Sequence, residues 1–177
     1  YQYDLVNIGR QLLGNYFAMQ RDSFTFYYRA RNIPLMKQTG KKMMELMDDL
    51  DTLLGTQSCF LLGKWLGDAR RTGSSDKEKN KLEENARMLV TTWGGRSQSL
   101  NDYGNRTWSG LVKGYYKVRW QMFLNDVLQA AEKNKEFDEK SFYKEVTSFE
   151  LDWVMRHESY SEKPTGDPVE ISTRLFE

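Results

Sequence analysis

One cysteine, one histidine and three prolines are all that 177 residues hold of the residue types that most often staple, ligate or break a chain. Cys59 has no partner for an internal bridge, which fits a cytosolic chain and equally a secreted one that folds without disulfides. Zinc, copper and iron sites draw on several His and Cys, and His157 with Cys59 supplies neither a paired spacing nor a third ligand. No metal and no cofactor is called for. The prolines are Pro34, Pro164 and Pro168, so none falls between Leu35 and Lys163. Proline is common in the turns of β-rich domains and is expelled from helix interiors, so that gap points to an all-α chain. A basic excess is also missing. Lys plus Arg at 26 oppose Asp plus Glu at 25, whereas a nucleic-acid binder normally carries a basic surplus or stripe. No apolar run approaches the ~20 residues of a membrane span, and no basic-then-apolar leader precedes the helical pattern. Without an initiator Met, the chain reads as a piece of something longer.

What is present is helical periodicity, enough for one domain over residues 1–177 with a core that needs no staple. Leu5, Ile8, Leu12, Tyr16 and Met19, with Val6, Leu13, Phe17 and Phe24 beside them, predict one buried stripe on a helix from Tyr3 to Arg31. A second helix is expected over Leu35–Leu54, packing Met43, Leu46, Met47, Leu50 and Leu53 inward and stopped by Gly55. The methionines here are core filler. Phe60–Arg70 reads as a short helix carrying Leu61, Leu62, Trp65 and Leu66. Ser75 and Glu78 stand at capping-box spacing and open a helix reaching about Thr91. After the irregular stretch from Trp93 to Ser99, helical spacing returns over Asn105–Tyr116 and Val118–Lys133. Gly110 and Gly114, four apart, would admit another backbone. Asp138 caps a helix with Phe142, Val146, Phe149, Trp153 and Met155 inward, and Asp167-Pro168 opens the last one. The expected fold is an all-α irregular bundle of about seven helices.

Candidate chemistry is thin. Asp48, Asp49, Asp51, Glu83, Glu84, Glu136, Asp138 and Glu139 lie among lysines or at helix starts and read as solvated helix faces, not as a hydrolytic pair. Cys59 reads as a small buried residue, and His157 as a surface or cap residue near a helix end. Gly94-Gly95 follows a helix without the Lys-Ser or Lys-Thr of a phosphate loop. No catalytic residue is assigned. The segment Trp93–Trp120 is different, since it gathers three Trp, three Tyr, Asn101, Asp102, Asn105 and Arg119. Aromatic platforms with amides and carboxylates between them suit a sugar, whose C–H faces stack on rings and whose hydroxyls need oriented partners. The same composition fits a helical-hairpin core capped by Asn101 or Asp102.

Several blocks are recognisable in series: Phe60-Leu61-Leu62-Gly63-Lys64-Trp65-Leu66, Asn85-Ala86-Arg87 leading to Thr92-Trp93-Gly94, Leu100-Asn101-Asp102-Tyr103, Trp108-Ser109-Gly110-Leu111-Val112, Tyr115-Tyr116 and Arg119-Trp120. Their order and spacing, over nearly the whole chain, resemble the C-terminal helical domain of the alpha-N-acetylglucosaminidases of glycoside hydrolase family 89. The resemblance implies an exo-acting retaining hydrolase of terminal alpha-linked N-acetylglucosamine, whose catalytic glutamates belong to a barrel domain outside this chain. It implies that this domain packs on that barrel in the same polypeptide and forms one wall of the sugar pocket. By matching position, Trp93 and Tyr103 are the expected sugar contacts, with Asn101 and Leu100 beside them, although Gly95 stands where animal members have Pro. Arg87, Asp102 and Arg119 are expected to lock helices to the loop, since a guanidinium fork binds two acceptors at once. A free-standing module binding carbohydrate or a protein through the same cluster is the other reading. Family members occur in lysosomes and in exporting bacteria. The lone Cys, the single Asn105-Arg106-Thr107 acceptor pattern and the lysine-rich polar surface favour bacterial export.

Overall fold

The computed structural model describes residues 1–94 and 101–176. They form seven α-helices: α1 (Gln2–Arg29), α2 (Ile33–Leu54), α3 (Leu62–Arg71), α4 (Asp76–Leu89), α5 (Lys117–Glu132), α6 (Glu139–Met155) and α7 (Pro168–Phe176). The all-α expectation holds, and the described residues contain no strand beyond a single bridge between Leu61 and Ser109.

Caps set most helix starts. Asn32 accepts the Leu35 amide at α2, Asp138 accepts the Ser141 amide at α6, and Asp167 accepts the Val169 and Glu170 amides at α7. At α4 the capping box is offset by one residue. Ser75 accepts the Glu78 amide, but the Glu78 carboxylate turns to the amide and hydroxyl of Ser74.

Two apolar cores result. In the first, Val6, Leu13 and Phe24 of α1 meet Met36, Met43 and Met47 of α2 and Leu124 and Val127 of α5. In the second, Leu62 and Leu66 of α3, Ala86 of α4 and Val90 just past its end enclose Trp153 and Val154 of α6 with Leu111 and Tyr115. Each large side chain so buried contributes about 1.5–3 kcal/mol. The methionines do fill the core, as expected.

Several expectations fail for identifiable reasons. Ile8, Leu12, Tyr16 and Met19 are exposed, and α1 turns Val6, Gly9, Leu13 and Phe24 inward instead. Two apolar stripes run along this helix, and only one finds a partner among the described residues. Asn105–Gly110 is not helical; regular structure begins at Leu111, passes through a π turn at Val112–Tyr116 and continues into α5. The start is fixed from outside. Asp51 of α2, buried and not a solvated face, accepts the Gly110 and Lys113 amides at 2.8 and 3.0 Å and the Ser109 hydroxyl at 3.1 Å. Glu83 is likewise buried rather than solvated, Cys59 and Met155 are exposed rather than buried, and Trp65 is part-exposed with its indole N–H on the Ala86 carbonyl.

After α6 the chain runs back across the second core as a strap over residues 156–167. The strap lies on glycines. A Cβ at Gly63 would strike the Ser161 carbonyl oxygen, and one at Gly110, where φ is +87°, would lie 2.8 Å from the Tyr160 ring. What approaches Gly110 and Gly114 is therefore an aromatic side chain, not the backbone the sequence predicted. Gly63→Ala is expected to lower unfolding stability by about 2 kcal/mol, because backbone must move. Gly14→Ala, with nothing within 4 Å of its Cβ, is expected to raise it by about 0.5–1 kcal/mol. Urea unfolding of the two variants measures both signs.

Candidate functional site

The site grows from the end of α4. Beyond Leu89 the chain passes through Thr91 and Thr92, both buried, and the Thr91 hydroxyl donates to the Arg87 carbonyl. Trp93 then sits at φ +60°, its amide donating to the Met88 carbonyl at 2.7 Å. The chain returns at Asp102, with φ +63° and its amide on the Thr91 carbonyl at 2.7 Å. Left-handed backbone at a non-glycine residue costs about 1 kcal/mol or more, so both ends of this excursion are held against a local preference. Leu100 and the stretch 95–99 lie outside the described residues.

Across the neck, the Trp93 and Tyr103 rings stand 4.9 Å apart at 57°. Trp93 is half-buried because Gly104 lets its ring close down; a Cβ there would be 2.9 Å from Trp93 Cζ3. Tyr103 is 71% exposed. The two rings thus form one aromatic surface, supported below and open above.

A ring of charge holds the return. Arg119 of α5 donates through Nη1 to Asp102 at 2.7 Å and pairs through Nε with Glu150 of α6 at 2.9 Å. The other Glu150 oxygen accepts from Asn101 Nδ2 at 2.7 Å. Asn101 and Asp102 are adjacent in sequence, so the circuit closes on itself. Arg119 also lies over the Tyr115 ring at 5.1 Å. Beside the circuit is a cleft of 580 Å³ lined by Asn101, Tyr116, Trp120, Phe123 and Phe142 among others. Oδ1 of Asn101 and Oδ1 of Asp102 are buried without a partner among the described residues.

Glu150 is nearly inaccessible, and burial pushes its carboxyl above the ordinary value against the attraction of Arg119. Burial likewise pushes the neighbouring Tyr116 phenol up to about 12.

Of the sequence candidates, Trp93 and Tyr103 come together as a pair, while Asn101 has its amide nitrogen occupied by Glu150. Asp102 and Arg119 join loop to helices. Arg87 touches the strap instead of the loop: its Nη2 donates to the Glu158 carbonyl, and its guanidinium lies between the Trp153 and Tyr160 rings. Glu150 was missed. Its signal was a carboxylate on the inward stripe of α6, four residues after Val146 and three before Trp153. Nothing in the described residues groups three or more His, Cys, Asp or Glu as a metal site, and no helix among them is long and apolar enough to cross a membrane.

Comparison with known proteins shows the family of the chain. The family model described as the alpha-N-acetylglucosaminidase (NAGLU) C-terminal domain matches residues 1–177. The chain belongs to that family. Human alpha-N-acetylglucosaminidase is 31% identical over 177 residues, covering 99% of this chain and 24% of the human protein. A family 89 glycoside hydrolase from Clostridium perfringens, solved with 2-acetamido-1,2-dideoxynojirimycin, superposes with a TM-score of 0.88 at 31% identity over 97% of this chain and 20% of its own. A variant of that enzyme solved with its substrate, GlcNAc-alpha-1,4-galactose, gives the same TM-score. The chain therefore spans about a quarter or less of these relatives and corresponds to the C-terminal part of a larger enzyme polypeptide.

The circuit in this family domain has a testable electrostatic consequence. A folded state that holds a proton more tightly than the unfolded chain gains stability as pH falls through the raised pKa, and the gain is complete below the unfolded value. Arg119→Cys removes the cation and leaves the Glu150 and Asp102 carboxylates facing each other. Stability at pH 7 is expected to fall by about 3 kcal/mol, and the deficit should shrink at an acidic pH at which Glu150 has taken up a proton. Urea unfolding at both pH values checks it; a deficit that stays constant would refute the assignment.

Proposed function

We propose that this domain is a helper lobe of an exo-acting retaining alpha-N-acetylglucosaminidase. It packs beside the catalytic barrel of the same polypeptide and forms one wall of the pocket that receives a terminal alpha-linked N-acetylglucosamine. The observation that carries the reading is the Trp93–Tyr103 pair. Two aromatic rings at the neck of one loop, fixed by left-handed backbone on one side and by the Arg119–Glu150 circuit on the other, make a rigid platform. A pyranose presents flat C–H faces that such a platform accepts with little loss of side-chain freedom. The clostridial relative has been solved with an N-acetylglucosamine-terminated disaccharide, which supports this sugar class.

In this reading Trp93 and Tyr103 stack on sugar, and Asn101 and Leu100 are the further contacts that the family resemblance implies. The acid and the nucleophile of hydrolysis come from the barrel, so the chain by itself releases no N-acetylglucosamine. The same reading makes the protein an exported one, in the periplasm or outside a bacterial cell, or in the lysosome of a eukaryote.

Removing a stacking ring takes away binding shared by substrate and transition state, which raises KM and leaves kcat near its original value. In the full-length enzyme, Tyr103→Ala and Trp93→Ala are each expected to raise KM by roughly tenfold, equivalent to a stacking contribution of ~1.4 kcal/mol. Tyr103→Ala should leave the unfolding midpoint unchanged, because its ring is largely in solvent. An unchanged KM in both variants would sink the pocket-wall reading.

A further inference from the structure

The first helix has a second apolar face that nothing among the described residues covers. Val6, Leu13 and Phe24 point into the core. Roughly 140° around the helix, Ile8 (60% exposed), Leu12, Tyr16, Met19 (61%) and Phe26 (67%) form another stripe. Single exposed apolar residues are ordinary, but five on one line are not. The spacing is regular: Leu5, Ile8, Leu12, Met19 and Phe26 fall at alternating intervals of three and four, the pattern with which one helix packs along another. Asn15 and Asp22 take the remaining two places. From Ile8 to Phe26 the stripe is ~27 Å long. Phe176 of α7 extends it sideways, since that ring packs over Gly9 and remains 46% exposed.

We propose that this face is the seat of an apolar helical segment from the polypeptide that precedes the domain in the enzyme. The occupant follows from where the missing length lies. The relatives are four to five times longer than this chain, which matches their C-terminal part, so their additional length joins at the N-terminal end of α1. The helix that first receives that chain is the one with the unpartnered stripe. Five of the seven places on this line are apolar, and its one charge, Asp22, is already paired with Arg21; that fits a permanent contact within one polypeptide better than a reversible encounter, because obligate interfaces resemble a core cut in half. The inference rests on the helper-lobe reading in that it needs a larger enzyme, but it concerns a different face from the Trp93–Tyr103 platform.

Methionine oxidation reads the coverage directly, because thioether attack by peroxide follows exposure. In the native full-length enzyme, Met19 is expected to oxidise at least about tenfold more slowly than in the same protein unfolded in urea, and dilution should not change the ratio. Met43, fully buried in the domain, reports that the fold is intact. Leu12→Glu should speed oxidation of Met19 several-fold while Met43 stays protected, and photo-crosslinkers at positions 12 and 19 should capture residues about seven apart in the preceding polypeptide. Met19 oxidising near its unfolded rate overturns the proposal. Protection lost on dilution overturns it in favour of a second copy, and capture at two-residue spacing overturns the helical occupant. A protected Met19 together with an unchanged KM for Tyr103→Ala would overturn the pocket wall and leave this docking face standing.

Discussion

A guanidinium with no solvent contact sits where four parts of the chain converge; its Nε and Nη2 are satisfied there, while Nη1 has no hydrogen-bond partner among the described residues. Arg87 donates through Nε and Nη2 to one Glu83 oxygen at 2.9 and 2.8 Å, while the other Glu83 oxygen receives Arg70 of α3 at 2.7 Å. Trp153 of α6 and Tyr160 of the strap flank the cation at 4.7 and 5.4 Å, and the Glu158 carbonyl takes a further N–H. Burying a charge pair is not in itself stabilising, because desolvation offsets the attraction; breaking one side of it is what costs about 3–5 kcal/mol. Such a group therefore acts chiefly by excluding alternatives. The strap could cover the second core in many ways if only apolar contact counted, but only one arrangement brings the Glu158 carbonyl and the Tyr160 ring to Arg87 together.

The same logic recurs twice with carboxylates. Asp51 reaches from α2 to the first amides of the segment that leads into α5, and in doing so ties the first core to the second. Glu150 reaches from α6 to Arg119 and Asn101 and fixes the return of the Trp93–Tyr103 loop. Each is a buried acid whose partners lie far away in sequence, and each decides where an irregular segment begins or ends. The apolar cores supply the stabilisation; the buried charges supply the register.

That division explains what could be read in the sequence. Helix identity followed from periodicity, and local caps such as Asn32, Asp138 and Asp167 announced themselves because donor and acceptor are neighbours. The start at Leu111 did not, since its cap is Asp51, some sixty residues upstream. Glu83 looked like a solvated face because a carboxylate four residues before an arginine is the ordinary surface pair; that both lie on the inward stripe with Ala86 and Val90 was the clue available. On α1 the period was right and the face was wrong. Two stripes satisfy the same 3.6-residue rule, and periodicity cannot say which one meets a partner inside the domain. At the site, the aromatic pair was legible from the family resemblance, whereas Glu150, which positions it, carried no signature of its own.

Both charge clusters end on α6, Glu150 and Trp153 being one turn apart, so the aromatic platform and the strap share a support. Their acids respond to pH in opposite senses. Burial raises Glu150, so the folded state gains from acid there. For Glu83, burial works upward, but Arg87 and Arg70 outweigh it and hold the carboxyl below its ordinary value. Its contribution is complete above the unfolded pKa and is lost only as pH falls through the depressed one. Between the depressed value of Glu83 and the raised value of Glu150, the first pair stays charged while the second carboxyl takes up its proton, so mild acidification relieves the platform circuit without loosening the strap. A loop whose two ends are held in left-handed backbone by hydrogen bonds and ion pairs keeps its geometry only while α6 stays in place, and α6 is held by the cluster that acid disturbs last.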